Sequence, residues 1–217
     1  NWSEGKRAMV DFLGFMFFSM LEGFAVFSLA FYLYRIDLKR YALPVFLMIN
    51  LIDLQNYIIR EDFRLEWAAP ISNLILMILF TTIYVRIPII WSVIMGFTGF
   101  IAFGVIQTGI IFLSRNYFSL AQVHLYDWKM YIVQSMSGFI GTGIAMLLYK
   151  LGYGFTFEFE KLRFRWERVL IISLISSFII SLTIMVIYHD YFINLLVFGI
   201  SLFLFLFYSL RKEAEIS

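Results

Sequence analysis

The sequence predicts an all-α fold: a polytopic transmembrane bundle of about seven helices, forming a single domain over residues 1–217 with no soluble domain. Three observations predict it. Of the 217 residues, 62% are hydrophobic and 15% are charged, whereas an average soluble domain has about 25% charged residues. The mean hydropathy is +0.85. Apolar stretches close to the roughly 20 residues that a helix needs to cross the hydrocarbon core follow one another along the chain.

Each predicted helix is an apolar stretch that ends in charged or turn-forming residues. The predicted spans are residues 9–34, 41–59, 68–85, 88–113, 130–151, 169–188 and 191–210. Charged clusters at residues 35–40 and 60–66 end the first two spans, and Pro88 suits the first turn of the fourth. Only His189 and Asp190 separate the last two spans, which predicts a tight antiparallel hairpin.

The orientation follows from the positive charges in the connections, because cytoplasmic loops carry an excess of Lys and Arg. With the N-terminus outside, most of the 17 Lys and Arg residues fall on the inner side. The prediction is therefore an N-out and C-in protein of a cell membrane, with the lipid bilayer as its first partner.

Several classes of function are excluded by what the sequence lacks. A net charge of +2 is too weak to predict nucleic-acid binding, and the absence of cysteine excludes disulfides, thiolate catalysis and Cys-based metal sites. The two histidines, His124 and His189, fall in different predicted outer loops, so there is neither a zinc-protease motif nor a catalytic base within the membrane. We therefore expect no enzyme activity, no cofactor and no metal.

Two acidic residues lie where lipid is expected. Glu22 falls near the middle of the first predicted helix, and Asp53 slightly past the middle of the second. An ionised carboxylate in hydrocarbon costs at least about 2.5–3.5 kcal/mol, and no Lys or Arg lies at comparable depth. Either these carboxyls are protonated at neutral pH, because burial disfavours the charged form, or they face a wet or cation-bearing cavity. Both interpretations make them candidates for ligand or ion binding.

Polar side chains continue from Asp53 toward the outer end of the second helix. At about 100° per residue, one face of this helix carries Asn50, Asp53, Tyr57 and Arg60, with Asn56 at its edge. This stripe either lines a ligand cavity open to the outside or forms hydrogen bonds between helices, worth about 0.6 kcal/mol each. The sequence favours neither interpretation over the other.

Two further helices supply polar candidates and close packing. Gln107 in the fourth helix and Gln134 near the outer start of the fifth are candidates for the same outward-facing ligand or ion site. Small residues spaced by four let two helix backbones approach closely. Those predicted to pack in this way are Gly96, Gly99 and Gly104 in the fourth helix, and Ser137, Gly138, Gly141, Thr142 and Ala145 in the fifth.

The predicted inner connection, residues 152–168, alternates aromatic and charged residues with a period of two, which is typical of a strand. Its acidic and basic arms would pair across a hairpin, but no Gly or Asn marks a turn. An interfacial belt of rings and cations at the lipid headgroups is the favoured interpretation. In the alternative, the segment docks a partner protein through Phe157, Phe159, Arg163, Arg165 and Trp166.

A resemblance to a known family rests on two short stretches. They are Phe-Met-Phe-Phe-Ser-Met-Leu-Glu at residues 15–22, with its mid-membrane Glu, and Phe-Tyr-Leu-Tyr-Arg-Ile at residues 31–36. The first five predicted helices loosely resemble the membrane sensor region of bacterial quorum-sensing histidine kinases of the accessory-gene-regulator type (the GHKL class). A third stretch, residues 86–100, which begins Arg-Ile-Pro-Ile-Ile-Trp and ends Met-Gly-Phe-Thr-Gly-Phe, is similar to Gram-positive membrane proteins of unknown role. The resemblance implies an outward cavity that senses a peptide-like or lipid-like signal.

In those kinases the last membrane helix leads into a dimerisation helix and an ATP-binding domain. Here the sequence ends at residues 211–217, so either a kinase domain lies beyond it or the chain acts through a protein partner or as a homodimer. We therefore expect a non-catalytic sensor or receptor module. The alternatives are a small proton- or cation-coupled transporter, with Glu22 and Asp53 as the relay, and an accessory subunit of a larger membrane complex.

Overall fold

The computed structural model describes residues 2–61, 68–115, 117–118, 127–155, 200 and 203. Within these residues the fold is all-α and contains no strand. The helices are α1 (Trp2–Leu33), a 3₁₀ turn (Leu38–Tyr41), α2 (Ala42–Glu61), α3 (Ala68–Ile83), α4 (Ile89–Leu113) and α5 (Asp127–Lys150). The predicted sixth and seventh spans lie outside the described residues.

The first five predicted helices are present, and three candidate spans, Met9–Leu33, Ile89–Leu113 and Trp128–Lys150, agree with the predicted spans within two residues. α1 begins at Trp2 rather than at residue 9, because charged residues that leave the membrane are still good helix formers. Residues 38–41 form a separate 3₁₀ turn before α2, and Asp37 caps it by accepting a hydrogen bond from the Lys39 amide at 3.0 Å. α5 begins at Asp127 rather than at residue 130.

Three helices of the described part, α1, α3 and α4, are each followed within two or three residues by an arginine with a left-handed backbone. The φ angles are 56° at Arg35, 65° at Arg86 and 48° at Arg115. This conformation breaks the helical hydrogen-bond pattern, so α1 and α3 stop before the predicted residues 34 and 85. A side chain other than Gly pays about 1–2 kcal/mol there, offset in part by the attraction between a cation and the C-terminal end of a helix.

α1 occupies the centre of the bundle and contacts α2, α4 and α5. α5 meets α1 in the same chain order and therefore runs parallel to it: Tyr131 contacts Phe18, Gly138 contacts Leu21 and Tyr149 contacts Tyr32. α2 meets α1 in reverse chain order and runs antiparallel to it, since Ile49 contacts Gly23 and Tyr57 contacts Phe12. α4 is also antiparallel to α1, since Gly99 contacts Ala30 and Gln107 contacts Glu22. α3 packs on α4 after a short turn. This alternation is what consecutive membrane crossings require.

The distribution of polarity is that of a membrane protein. Three helices in the described part are long and apolar enough to cross a bilayer, over Met9–Leu33, Ile89–Leu113 and Trp128–Lys150, and Ala69–Ile83 is a shorter apolar helix. Along α2, the exposed face is built from Leu43, Leu47, Leu51, Leu54 and Ile58. The same helix buries Asp53 at 2% exposure. A leucine face turned outward over a buried acid is the arrangement that lipid favours.

The predicted small-residue packing is confirmed at α1. A Cβ on Gly138 would lie 3.0 Å from the Leu21 backbone, and one on Gly99 would lie 2.9 Å from the Val26 carbonyl oxygen. Gly143, on the other side of α5, has open space around it. The backbones of α4 and α5 therefore approach α1 as closely as glycine permits. This close packing brings the polar side chains of α4 and α5 within reach of α1.

The chain leaving α5 folds back onto the end of α1. The Phe155 amide donates to the Leu33 carbonyl at 2.8 Å, and the buried Phe155 ring lies 5.2 Å from the Tyr34 ring. Gly154 has a φ of 146°, and a Cβ there would lie 3.0 Å from the Leu33 oxygen. Only glycine fits this close turn.

Candidate functional site

Three predicted site residues from three helices meet at Glu22. The Gln107 amide of α4 donates to Glu22 Oε1 at 2.7 Å, and the Gln134 amide of α5 donates to Glu22 Oε2 at 3.3 Å. Glu22 and Gln107 are half-buried, and Gln134 is 6% exposed. The carboxyl therefore lies between α1, α4 and α5 rather than among acyl chains. We call these three residues the Glu22 cluster.

The Glu22 cluster contains a buried acceptor without a donor. Both Glu22 oxygens receive N–H groups from neutral amides, so the donors stabilise negative charge without cancelling it. The carbonyl oxygen of Gln134, Oε1, is buried and has no hydrogen-bond partner among the described residues. An unsatisfied buried acceptor costs about 1–3 kcal/mol. The cluster thus offers a carboxyl group and, on Gln134, an acceptor without a described donor to anything that carries N–H or O–H donors.

Asp53 meets α1 one turn before Glu22, in contact with a serine. The Ser19 hydroxyl of α1 donates to Asp53 Oδ1 at 2.7 Å, and Asp53 is 2% exposed. Ser19 and Glu22 are three residues apart, so they are neighbours on the helix surface. One turn of α1 therefore carries Glu22 and also contacts Asp53. Asn56 is 5% exposed, and its Oδ1 is buried without a partner in the described part of the chain.

Of the other residues in the predicted α2 stripe, Tyr57 packs against α1. The Tyr57 ring lies 4.9 Å from Phe12 and 5.7 Å from Phe15. Asn50 is half-buried and donates to the Phe46 carbonyl of its own helix at 2.8 Å. The Asp53 part of the stripe is thus packed between helices. The Arg60 side chain lies outside what the structure describes, as do the predicted partner-docking residues Phe157, Phe159, Arg163, Arg165 and Trp166.

An apolar groove lies one helical turn from the Glu22 cluster on the same two helices. Its volume is about 370 Å³. Phe18 precedes Glu22 by four residues and stacks on Tyr131 at 4.5 Å, and Tyr131 precedes Gln134 by three. The groove is lined by Phe18, Trp128, Tyr131, Ile132, Ser135 and Met136. Its aromatic walls suit an apolar group or a cation.

Two polar residues were not recognised as interior from the sequence. Ser19 was passed over because a serine in an apolar span is ordinary, and only the rotation of α2 brings Asp53 to it. Lys129 was assigned to an outer connection, which is wrong. The earlier start of α5 places it in the first helical turn, 7% exposed, with Nζ 3.3 Å from the Tyr117 carbonyl oxygen and 4.5 Å from the centre of the Tyr117 ring.

Within the described residues, no three His, Asp or Glu side chains come together as a metal site. No protein-family model, curated protein or solved structure matches the chain.

Proposed function

We propose that this chain is a non-catalytic sensor or receptor module of a bacterial cell membrane. It crosses the membrane seven times, with the N-terminus outside and the C-terminus inside. It binds an extracellular or membrane-borne, peptide-like signal and acts through a protein partner or a kinase domain. The observation that carries the proposal is the convergence of Glu22, Gln107 and Gln134 from three helices.

This convergence supports a sensing role because the polar groups hold helices together. Gln107 and Gln134 attach α4 and α5 to the central helix α1 through one carboxyl group. A ligand group that takes the place of either amide changes the contacts between helices. Such a ligand shifts the population of helix arrangements by the difference in its affinity for them.

The resemblance of the first five helices to quorum-sensing kinase sensors supports the same proposal. The apolar groove adds a place for hydrophobic parts of a signal next to the polar cluster. The Phe155 contact with Leu33 connects α1 to the start of the segment for which partner docking is the alternative to an interfacial belt.

The proposal is tested with the full chain purified into lipid nanodiscs. Apolar peptides extracted from a Gram-positive culture supernatant should raise the Tm, because a ligand that binds only the folded state stabilises it by mass action. Glu22→Gln keeps the side-chain size and removes the charge, so the rise in Tm should be lost. Asp11→Asn is the matched control, because Asp11 is exposed on the same helix. A peptide-induced rise that survives in Glu22→Gln contradicts the proposed site.

A second candidate function, a proton- or cation-coupled transporter, is favoured by the Asp53 geometry. Asp53 is almost fully buried, and its contact with the Ser19 hydroxyl at 2.7 Å is short enough for proton transfer. In this function Asp53 and Glu22, which meet at the same turn of α1, take up and release the coupling ion.

Proteoliposomes separate the two functions. A transporter dissipates an imposed pH or sodium gradient faster than empty vesicles, and Asp53→Asn removes that excess rate. A receptor binds its signal with no excess rate in either form of the protein.

A further inference from the structure

We propose that the Glu22 cluster and the adjoining groove bind a primary ammonium group carried on an apolar tail. This inference rests on the proposed receptor function and names the chemistry of its ligand. The peptide N-terminus and a lipophilic amine share this chemistry.

The charge and the acceptors of the cluster select the head group. An ammonium group has three N–H donors and no acceptor. Glu22 supplies a carboxylate, and Gln134 supplies the buried Oε1 that lacks a donor in the described structure. The contact between Gln134 Nε2 and Glu22 Oε2 is long, at 3.3 Å. Rotation of the Gln134 amide would bring Oε1 to the same place, so that one ammonium group donates to both residues.

The groove selects the tail. It begins one turn along α1 and α5 from the cluster, at Phe18 and Tyr131. Its volume of about 370 Å³ suits a short alkyl chain or an aromatic side chain. Glu22 is half-buried, so part of the residue lies at the surface of the bundle. A charged head beside an apolar tail therefore matches the order of the two surfaces.

The test uses three probes with the same tail: octylammonium, octyltrimethylammonium and octanol. Binding to the full chain in nanodiscs is followed by tryptophan fluorescence, and Trp128→Phe identifies the signal from the groove. Octylammonium should bind saturably. The other two probes should bind at least about tenfold more weakly, because one lacks N–H donors and the other lacks charge.

Variants locate the head group. Glu22→Gln should weaken octylammonium at least about tenfold, while Asp11→Asn should leave it unchanged. Gln134→Met keeps the side-chain length, removes the acceptor Oε1 and should weaken octylammonium but not octanol, which keeps the test valid if Glu22→Gln does not fold. Equal binding of octanol and octylammonium, or no effect of Gln134→Met, overturns the inference.

The two proposals fail in different ways. If octylammonium binds at Glu22 and is also carried across proteoliposomes, the ligand chemistry stands and the receptor function falls. If peptides stabilise the protein through Glu22 but octylammonium does not bind, the receptor function stands and the ammonium assignment is wrong.

Discussion

At the scale of single residues, two carboxyl groups within the bundle, those of Glu22 and Asp53, meet neutral donors from other helices. Ser19 donates to Asp53, and two glutamines donate to Glu22. Hydrogen bonds to charged groups are worth about 1.5–3 kcal/mol, and the loss of one partner leaves the other unsatisfied. These contacts therefore tie α1 to three other helices more strongly than neutral polar contacts would.

Ser19→Ala should lower the free energy of unfolding by about 1–3 kcal/mol, because Asp53 Oδ1 loses a buried donor. The measurement is thermal or denaturant unfolding in detergent. Ser135→Ala is the control, since the Ser135 hydroxyl donates to the Tyr131 carbonyl of its own helix. Equal losses in the two variants would show that the Ser19–Asp53 contact contributes nothing specific.

The residues of the Glu22 cluster were predictable one by one, because polar side chains in apolar spans are conspicuous. Their grouping was not predictable, because it depends on the rotation of α4 and α5 about their axes. Ser19 carries no signal of its own for the same reason. Its partner Asp53 lies 34 residues away, and the sequence does not contain the angle between α1 and α2.

At the scale of elements, the interface of α1 with α5 decides the architecture. The two helices run parallel, and Gly138 brings them into backbone contact at Leu21. Parallel neighbours cannot be joined by a short loop, so this pair forms only after α4 has returned the chain to the starting side. The small-residue spacing predicted a close contact for α5. The identity of its partner helix, however, is a tertiary property.

Gly138→Leu should separate α1 from α5 and destabilise the bundle by about 1–3 kcal/mol, because the new side chain meets the Leu21 backbone. Gly143→Leu, in open space on the same helix, should leave stability unchanged or raise it, because leucine is the better helix former. Unfolding in detergent compares the two. A similar loss of stability in both variants would mean that the face of α5 containing Gly138 does not pack against α1.

The C-terminal ends of the helices were predicted closely: α4 ends at residue 113 as predicted, and α1 and α3 end at Leu33 and Ile83 rather than at residues 34 and 85. What the sequence did not predict is the left-handed arginine that follows each of these helices. Arginine is not a typical residue for this conformation, so the sequence pattern carries no sign of it. The start of α5 at Asp127 was not predicted either, so the burial of Lys129 in its first turn was missed.

At the scale of the whole molecule, the described helices expose many large apolar side chains, while Asp53 and several Ser, Thr, Asn and Gln residues are buried among the hydrophobic core. This exposed apolar surface, together with three helices long enough to span a bilayer, identifies a membrane protein. The composition predicted that class, and the alternating helix directions agree with consecutive crossings. The absolute orientation is a separate matter, because it depends on loop charges and not on the packing of the bundle.

The absence of cysteine makes the orientation directly measurable. In intact cells, a membrane-impermeant maleimide should label Tyr117→Cys and should label Lys39→Cys only after the membrane is opened. Both positions are exposed, at opposite ends of the alternating helices. The reverse pattern would mean N-in, and labelling of both positions in intact cells would contradict a membrane-crossing bundle.

The hydrogen bond between Phe155 and Leu33 connects the chain that leaves α5 to the end of α1. Because the backbone leaving α5 is fastened to the end of α1 by a hydrogen bond and a tight glycine turn, the two cannot pivot independently at that point. Any displacement of the C-terminal end of α1 would therefore move the backbone at residue 155 with it.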